Sequence, residues 1–387
     1  MLFNRYNDGV ELNSTLFPGK RKTGTTDVDV QATEKLPFHV TALYDNAGRT
    51  TIGKNRFGLM LQDDSLFGLR DKLTLGGYLN EYSFTPFLDY NIPVTKKDDR
   101  VGVSFSSSKA KIGHGDFSIF NIESRSQNYS LYYTRPLYRK LWTELTSTSS
   151  IAYKKSQTSF DGEDLLKSEV TTLQTGVNFR HDTKRGIWYL NQNIGYSIPK
   201  QDDYSNYFKL DGGFLRLHAF GHDLTGTFKG NYQIIPQKIV PSLDHMAAGG
   251  ISTVRGYSEG LLSGKDGYIF NAELLFPVAP KTIKNKKKAK EVPFIGSFCK
   301  GFAFIDHAGI LPYKGEGESY DKNDFLMSIG LGLKADLPKD INLKMSYGLP
   351  VTENKYEENK SGKFHIELRI SPDFDSLLKL RKAKAKN

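Results

Sequence analysis

The stretch Gly267-Tyr268-Ile269-Phe270-Asn271-Ala272-Glu273-Leu274-Leu275-Phe276-Pro277 decides the fold class. It follows closely on a Gly-rich segment with one arginine near its tip, Gly249-Gly250-Ile251-Ser252-Thr253-Val254-Arg255-Gly256-Tyr257, with Ser263-Gly264 between them. Within the stretch Tyr268, Phe270 and Leu274 fall on one side and Asn271 and Glu273 on the other. Alternation with period two marks a β-strand with two unlike faces. A bilayer against one face and a wet lumen against the other select such a strand.

The pattern recurs towards the C-terminus. Phe325, Met327, Ile329, Leu331 and Leu333 share a face opposite Ser328, Gly330, Gly332 and Lys334. Ile341, Leu343, Met345 and Tyr347 alternate with Asn342, Lys344 and Ser346, and Phe364, Ile366, Leu368 and Ile370 with His365, Glu367 and Arg369. Comparable segments lie near 37–45, 53–62, 72–80, 84–93, 101–111, 128–136, 142–154, 168–181, 187–198, 206–218, 222–234, 266–277 and 296–309. Breakers separate them, among them Asp45-Asn46-Ala47-Gly48 and Asp161-Gly162. The expected fold is all-β, a transmembrane antiparallel β-barrel of about 16 strands, the even number single-chain bacterial barrels require. A soluble sandwich would also alternate, but so many long strands with few helical stretches favour closure.

Composition agrees. The chain of 387 residues has 25 Phe and 21 Tyr against 2 Trp, one Cys and 36 Gly. Mean hydropathy is −0.47, and no apolar run is long enough for a membrane-crossing helix. Cys299 has no partner and is a small strand residue. The net charge of +10 sits largely in Lys281 to Lys290 and in Lys379 to Lys386. Such non-periodic charge blocks are solvated segments, with lipid head groups the milder alternative, and no nucleic-acid partner is expected.

One enzyme signal is present. Gly256-Tyr257-Ser258-Glu259-Gly260 matches the G-x-S-x-G nucleophile elbow, but that elbow needs a buried strand before the serine and a helix after it, and neither is indicated. His181, His218, His307 and His365 lack metal-ligand spacing. No phosphate loop is present, so no ATP use is implied, and with the elbow and the histidines set aside no enzyme activity, metal or cofactor is expected.

Several short matches run along the chain: Phe17-Pro18-Gly19 with Gly24-Thr25-Thr26-Asp27-Val28, Asp45-Asn46-Ala47-Gly48 with Thr51-Ile52-Gly53, Leu66-Phe67-Gly68-Leu69-Arg70-Asp71-Lys72-Leu73, Arg135-Pro136-Leu137-Tyr138-Arg139, and Val254-Arg255-Gly256-Tyr257. Together they resemble the two-partner secretion transporters, or haemolysin secretion/activation proteins, over nearly the whole chain. The resemblance implies a remnant of the second POTRA domain at 1–35, a barrel over 36–374 and a basic tail at 375–387. It implies that loop 235–265 folds into the lumen carrying Val254, Arg255, Gly256 and Tyr257. It also implies that a Phe-x-Asp pattern on the next strand, Phe304-x-Asp306, supplies the wall partner of Arg255. Period two places Phe302, Phe304 and Asp306 on one face, and an aromatic face is expected to meet lipid unless the strand bulges or ends. Asn271 and Glu273 are expected in the lumen, beside the loop or simply lining the wall. In a wet lumen an exposed Arg–carboxylate pair contributes only about 0–1 kcal/mol, serving register more than stability.

The function so implied is export of a large β-helical exoprotein, a haemolysin or adhesin, across the bacterial outer membrane without nucleotide hydrolysis. Folding of the partner outside would drive it. Outer-membrane lipid, the barrel-assembly machinery and periplasmic chaperones are the further partners. The loop motif is shared with barrel-assembly factors, so insertion of other outer-membrane proteins is the alternative. A passive porin fits the alternation but needs no such loop, and a lipid-modifying enzyme is more distant. Met1 is followed by Leu-Phe-Asn-Arg-Tyr, without the charged region and apolar core of a signal peptide. The chain is therefore read as truncated at its N-terminus.

Overall fold

The computed structural model describes residues 2–373 apart from 7–8, 21–23, 280–281, 286–289, 294–297, 313, 315–318, 339 and 358–359. The basic tail 375–387, Phe374 and much of the Lys281–Lys290 block lie outside the described residues. Sixteen antiparallel strands close into one barrel. In chain order they are Phe38–Asp45, Arg56–Asp63, Lys72–Asn80, Ser83–Pro93, Arg100–Lys111, Glu123–Arg139, Thr143–Phe160, Glu163–Thr183, Gly186–Pro199, Tyr207–Gly221, Leu224–Ile234, Asp266–Pro277, Cys299–Leu311, Phe325–Leu337, Ile341–Pro350 and Lys363–Ile370. Each pairs with its neighbours in sequence, and the last returns to the first. An even strand number brings both ends of the barrel to one rim, and the loop between Ile234 and Asp266 leaves from the other.

Alternation maps onto outside and inside. Leu59, Leu131, Ile151, Leu173, Ile329, Leu331 and Leu349 are exposed on the outer wall, an apolar surface that water would not tolerate and a bilayer solvates. The interior face carries buried polar groups such as Asp45, Thr172, Ser197, Asp306, Ser328, Ser346 and His365.

One expectation is overturned here. Phe302, Phe304 and Asp306 do share a face, but it is the lumen face, where all three are buried. The reason lies on the next strand. Phe302 is paired with Gly332 and Phe304 with Gly330. A Cβ on either glycine would stand 2.3 Å from the facing ring. The two glycines leave the floor open for aromatic rings to lie flat inside the barrel.

The closing seam is short. Phe38–Asp45 and Lys363–Ile370 share four registered pairs, from Glu367↔Asp45 to Ile370↔Ala42. Beyond them the Asn46 side chain continues the ladder: Asn46 Nδ2 donates to Phe364 O at 2.9 Å and Ile366 N–H donates to Asn46 Oδ1 at 3.0 Å. Asn46→Ala removes both bonds, each contributing about 0.5–1.5 kcal/mol. We expect the variant barrel to lose its compact, fast-migrating form at a lower temperature in a heat-modifiability gel.

The ribbon formed by Val10–Pro18 and Thr26–Glu34 pairs from Val10↔Glu34 to Pro18↔Thr26 and belongs to no other sheet.

Candidate functional site

Loop 235–265 enters the lumen as a small hairpin in which Met246–Ala248 pairs with Leu262–Gly264. Its tip carries Val254, Arg255, Gly256 and Tyr257, all buried. Gly256 adopts φ +96°, and a Cβ there would meet Gly348 O at 2.8 Å. Positive φ and contact with the wall backbone together require glycine at this place.

Arg255 is the centre of the first anchor. Its Nε donates to Asp306 Oδ2 at 2.8 Å, its Nη2 to Asp306 Oδ1 at 2.8 Å and its Nη1 to Glu273 Oε2 at 2.9 Å. Its backbone N–H also donates to Asp306 Oδ2 at 3.1 Å. The guanidinium carbon lies 3.4 Å from the Phe304 ring centroid, so the planar fork is stacked as well as hydrogen-bonded. Asn271 Nδ2 donates to Asp306 Oδ1 at 2.9 Å and also to the Thr253 carbonyl. Lys344 Nζ reaches Glu273 Oε2 at 2.9 Å. Two cations thus meet two carboxylates, with no net charge left in the cluster.

Arg255 is 6% exposed and Asp306 fully buried, so the value for a solvent-exposed pair does not apply. Breaking one partner out of a buried, hydrogen-bonded pair costs about 3–5 kcal/mol, because the other charge stays behind unpaired.

Apolar packing surrounds the pair. Val254 and Tyr257 join Ala248, Leu262, Ile269, Ala308, Ile310 and Leu326 in one buried cluster. The Tyr257 hydroxyl donates to the Thr352 carbonyl at 2.6 Å, and Gly256 N–H approaches His365 Nε2 at 3.4 Å. Ser258 is pinned rather than presented: its N–H donates to Glu357 Oε2 at 2.6 Å, and Lys363 Nζ donates to its hydroxyl at 2.7 Å. The residues after it form turns, not a helix, so the elbow context is missing in space as in sequence.

A second anchor was not foreseen. Asp244, in the first half of the loop and 3% exposed, accepts from Lys154 Nζ at 2.6 Å, Lys209 Nζ at 3.3 Å and the Tyr207 hydroxyl at 2.5 Å. Burial alone would push its carboxyl up, but the two ammonium groups and the hydroxyl hold it down at about 2. Ile235 and Val240 pack on Val170 and Tyr207 beside it. Lys154, Lys209 and Tyr207 come from two well-separated strands, and Asp244 sits in a stretch with no motif, so only the fold brings them together. Along the ring of sixteen, the strand of Lys154 stands six steps and that of Lys209 three steps from the strand of Asp306. The loop is therefore held at two separate places along the inner wall.

The family model described as haemolysin secretion/activation protein ShlB/FhaC/HecB matches residues 24–296. Among curated proteins no relative matches. Solved structures are similar in fold. CdiB from Acinetobacter baumannii superposes with a TM-score of 0.73 at 16% identity, covering 94% of this chain and 66% of that one. CdiB from Escherichia coli gives 0.76 at 16%, covering 96% and 69%. BamA from Haemophilus ducreyi, in a form lacking POTRA domains 1–3, gives 0.66 at 14%, covering 95% and 76%. The chain thus spans about two thirds of the CdiB structures it matches.

Proposed function

The chain belongs to the haemolysin secretion/activation protein ShlB/FhaC/HecB family, and from that membership we propose that it is the barrel of an outer-membrane transporter of the two-partner secretion type. Its substrate is a large β-helical exoprotein, a haemolysin or adhesin, that crosses the lumen in extended form. No nucleotide is consumed, and folding of the substrate at the cell surface draws it outward. In this reading residues 1–35 are the remnant of the second POTRA domain, 36–374 the barrel and 375–387 a basic tail. Outer-membrane lipid surrounds the wall, and the barrel-assembly machinery and periplasmic chaperones act during biogenesis.

The observation that carries this reading is the anchored loop. Arg255 is held by Asp306, Glu273 and Phe304, and the Thr253 carbonyl by Asn271, inside the barrel, a burial of charge that a passive pore does not require. Anchors made of ion pairs can be exchanged for polar contacts with a passing chain. Insertion of other outer-membrane proteins is the second reading, favoured by the fold shared with BamA.

Co-expression of the native gene with that of its co-encoded exoprotein separates the two. The transporter reading expects exoprotein in the medium only when the barrel is present. Outer-membrane assembly defects on deletion of the gene, with exoprotein release unaffected, would establish the second reading instead.

A further inference from the structure

Two strands are far longer than a bilayer needs. Thr143–Phe160 and Glu163–Thr183 have 18 and 21 residues, against about 9–11 for a crossing. On their outward faces the apolar series Ile151, Tyr153 and Val177, Leu173 gives way to Lys155, Gln157 and Glu169, Lys167. The hairpin beyond that line, some six or seven residues a side, stands in water roughly 20 Å above the lipid. It rises from the same rim as the inward loop.

The projecting hairpin is paired on one flank only. Thr143–Phe160 is covered by Glu123–Arg139 up to Glu123↔Ser159. Glu163–Thr183 meets its other neighbour only from Val170↔Pro199 onward. Lys200 N–H closes on Glu169 O at 2.9 Å, and Glu169 N–H on the Gln201 side chain at 3.2 Å. Residues 163–168 therefore pair with one strand on one side and with nothing described on the other. Because backbone groups of an antiparallel strand point to its two sides at alternate residues, the N–H and C=O of Lys167 aim at the open side, two residues before Glu169. Leu165 and Leu166 on this edge are 61% and 66% exposed. Phe160 beside them stacks on Phe120 at 5.4 Å.

We propose that the open edge at 163–168 takes up an extended segment of the exported polypeptide as an added β-strand as that segment leaves the lumen. This rests on the export reading above. Unpaired backbone donors and acceptors in a row are satisfied by another extended backbone, not by acyl chains. The polar belt of Lys155, Gln157, Lys167 and Glu169 separates the apolar tip from the bilayer. The charge on Lys167 keeps the edge soluble while its backbone stays available. Leu165, Leu166 and Phe160 supply the apolar contacts that an alternating β-helical sequence would fill. Capture at the exit would resist backsliding and template the first turn of the folding exoprotein.

The test uses the full chain in lipid nanodiscs and a short fluorescent peptide of alternating valine and threonine flanked by charged residues, followed by anisotropy. The same peptide N-methylated at alternate amides should bind about tenfold more weakly, the equivalent of one backbone hydrogen bond. Lys167→Pro removes the open-side donor but no ladder bond, and is expected to weaken binding by a similar factor. Lys167→Ala, which removes only the ammonium and its 3.2 Å pair with Glu169, should bind as wild type does. Heat-modifiability of each variant confirms that the barrel is folded. Equal binding of the methylated peptide, no effect of Lys167→Pro, no binding of the parent peptide, or occupation of the edge by a second copy of the chain in sedimentation would each overturn the proposal. Secretion is scored separately. Peptide binding without exoprotein release by the wild type sinks the export reading alone, and release without peptide binding sinks the edge alone.

Discussion

Arg255→Ala is expected to free the tip of the loop and open the lumen to ions while the barrel stays assembled. The substitution leaves Asp306 fully buried with only the Asn271 amide and the residue-255 backbone N–H as donors. It also leaves Glu273 with Lys344 alone. An abandoned buried carboxylate costs about 3–5 kcal/mol. The loop relieves that cost by lifting away and letting water in, whereas the sixteen-strand ladder does not depend on it. The expected signature is therefore new protease cleavage within 249–261 and raised ion conductance in planar bilayers, at unchanged heat-modifiability. Arg255→Lys keeps the charge but loses the fork and much of the stacking on Phe304, and should fall between the two. The double variant Arg255→Ala, Asp306→Ala should be less impaired in loop anchoring than the sum of the single changes, since the two residues act as one unit.

Asp244→Ala is expected to have the second-largest effect, at the other anchor. Without the carboxylate, Lys154 and Lys209 face each other uncompensated and the buried Tyr207 hydroxyl has lost its acceptor. Removal of one member of such a buried cluster again costs about 3–5 kcal/mol. Asp244→Asn keeps an acceptor for Tyr207 but not the charge, so most of the defect should persist. The folded carboxyl at about 2 lies below its ordinary range, so this foot contributes fully above that range and is lost only as pH falls towards 2. Conductance should consequently show no dependence on the titration of Asp244 between pH 5 and 8. Combining Asp244→Ala with Arg255→Ala releases both feet and should raise conductance beyond either single change.

The fold was legible wherever lipid leaves its mark. Leu331 and Ile329 alternate with Gly330 and Gly332 because one side meets hydrocarbon and the other the lumen, and the sixteen strands follow from that signal. Strand lengths were not legible outside the bilayer. The segments expected near 128–136, 142–154 and 168–181 run over Glu123–Arg139, Thr143–Phe160 and Glu163–Thr183, since the outer face turns polar at Arg125, Gln127 and Lys155 and the contrast between faces disappears.

Phe302 and Phe304 misled for a related reason. Hydrophobicity says that a ring is covered, but the cover here is Gly330 and Gly332 on a neighbouring strand, which only the register reveals. Arg255 and Asp306 could be singled out because a motif and a resemblance mark them. Asp244 could not, as its three partners are distant in sequence and carry no common pattern.

The central claim is that the two-footed loop must move for polypeptide to pass. A cysteine pair at positions 258 and 363, where Lys363 Nζ spans to the Ser258 hydroxyl at 2.7 Å, placed in a Cys299→Ser background and bridged by a short bis-methanethiosulfonate reagent, would tie the tip to the wall. Exoprotein release should stop when the pair is bridged and return when a reductant is added, with the barrel folded throughout. Undiminished release from the cross-linked barrel would contradict the account.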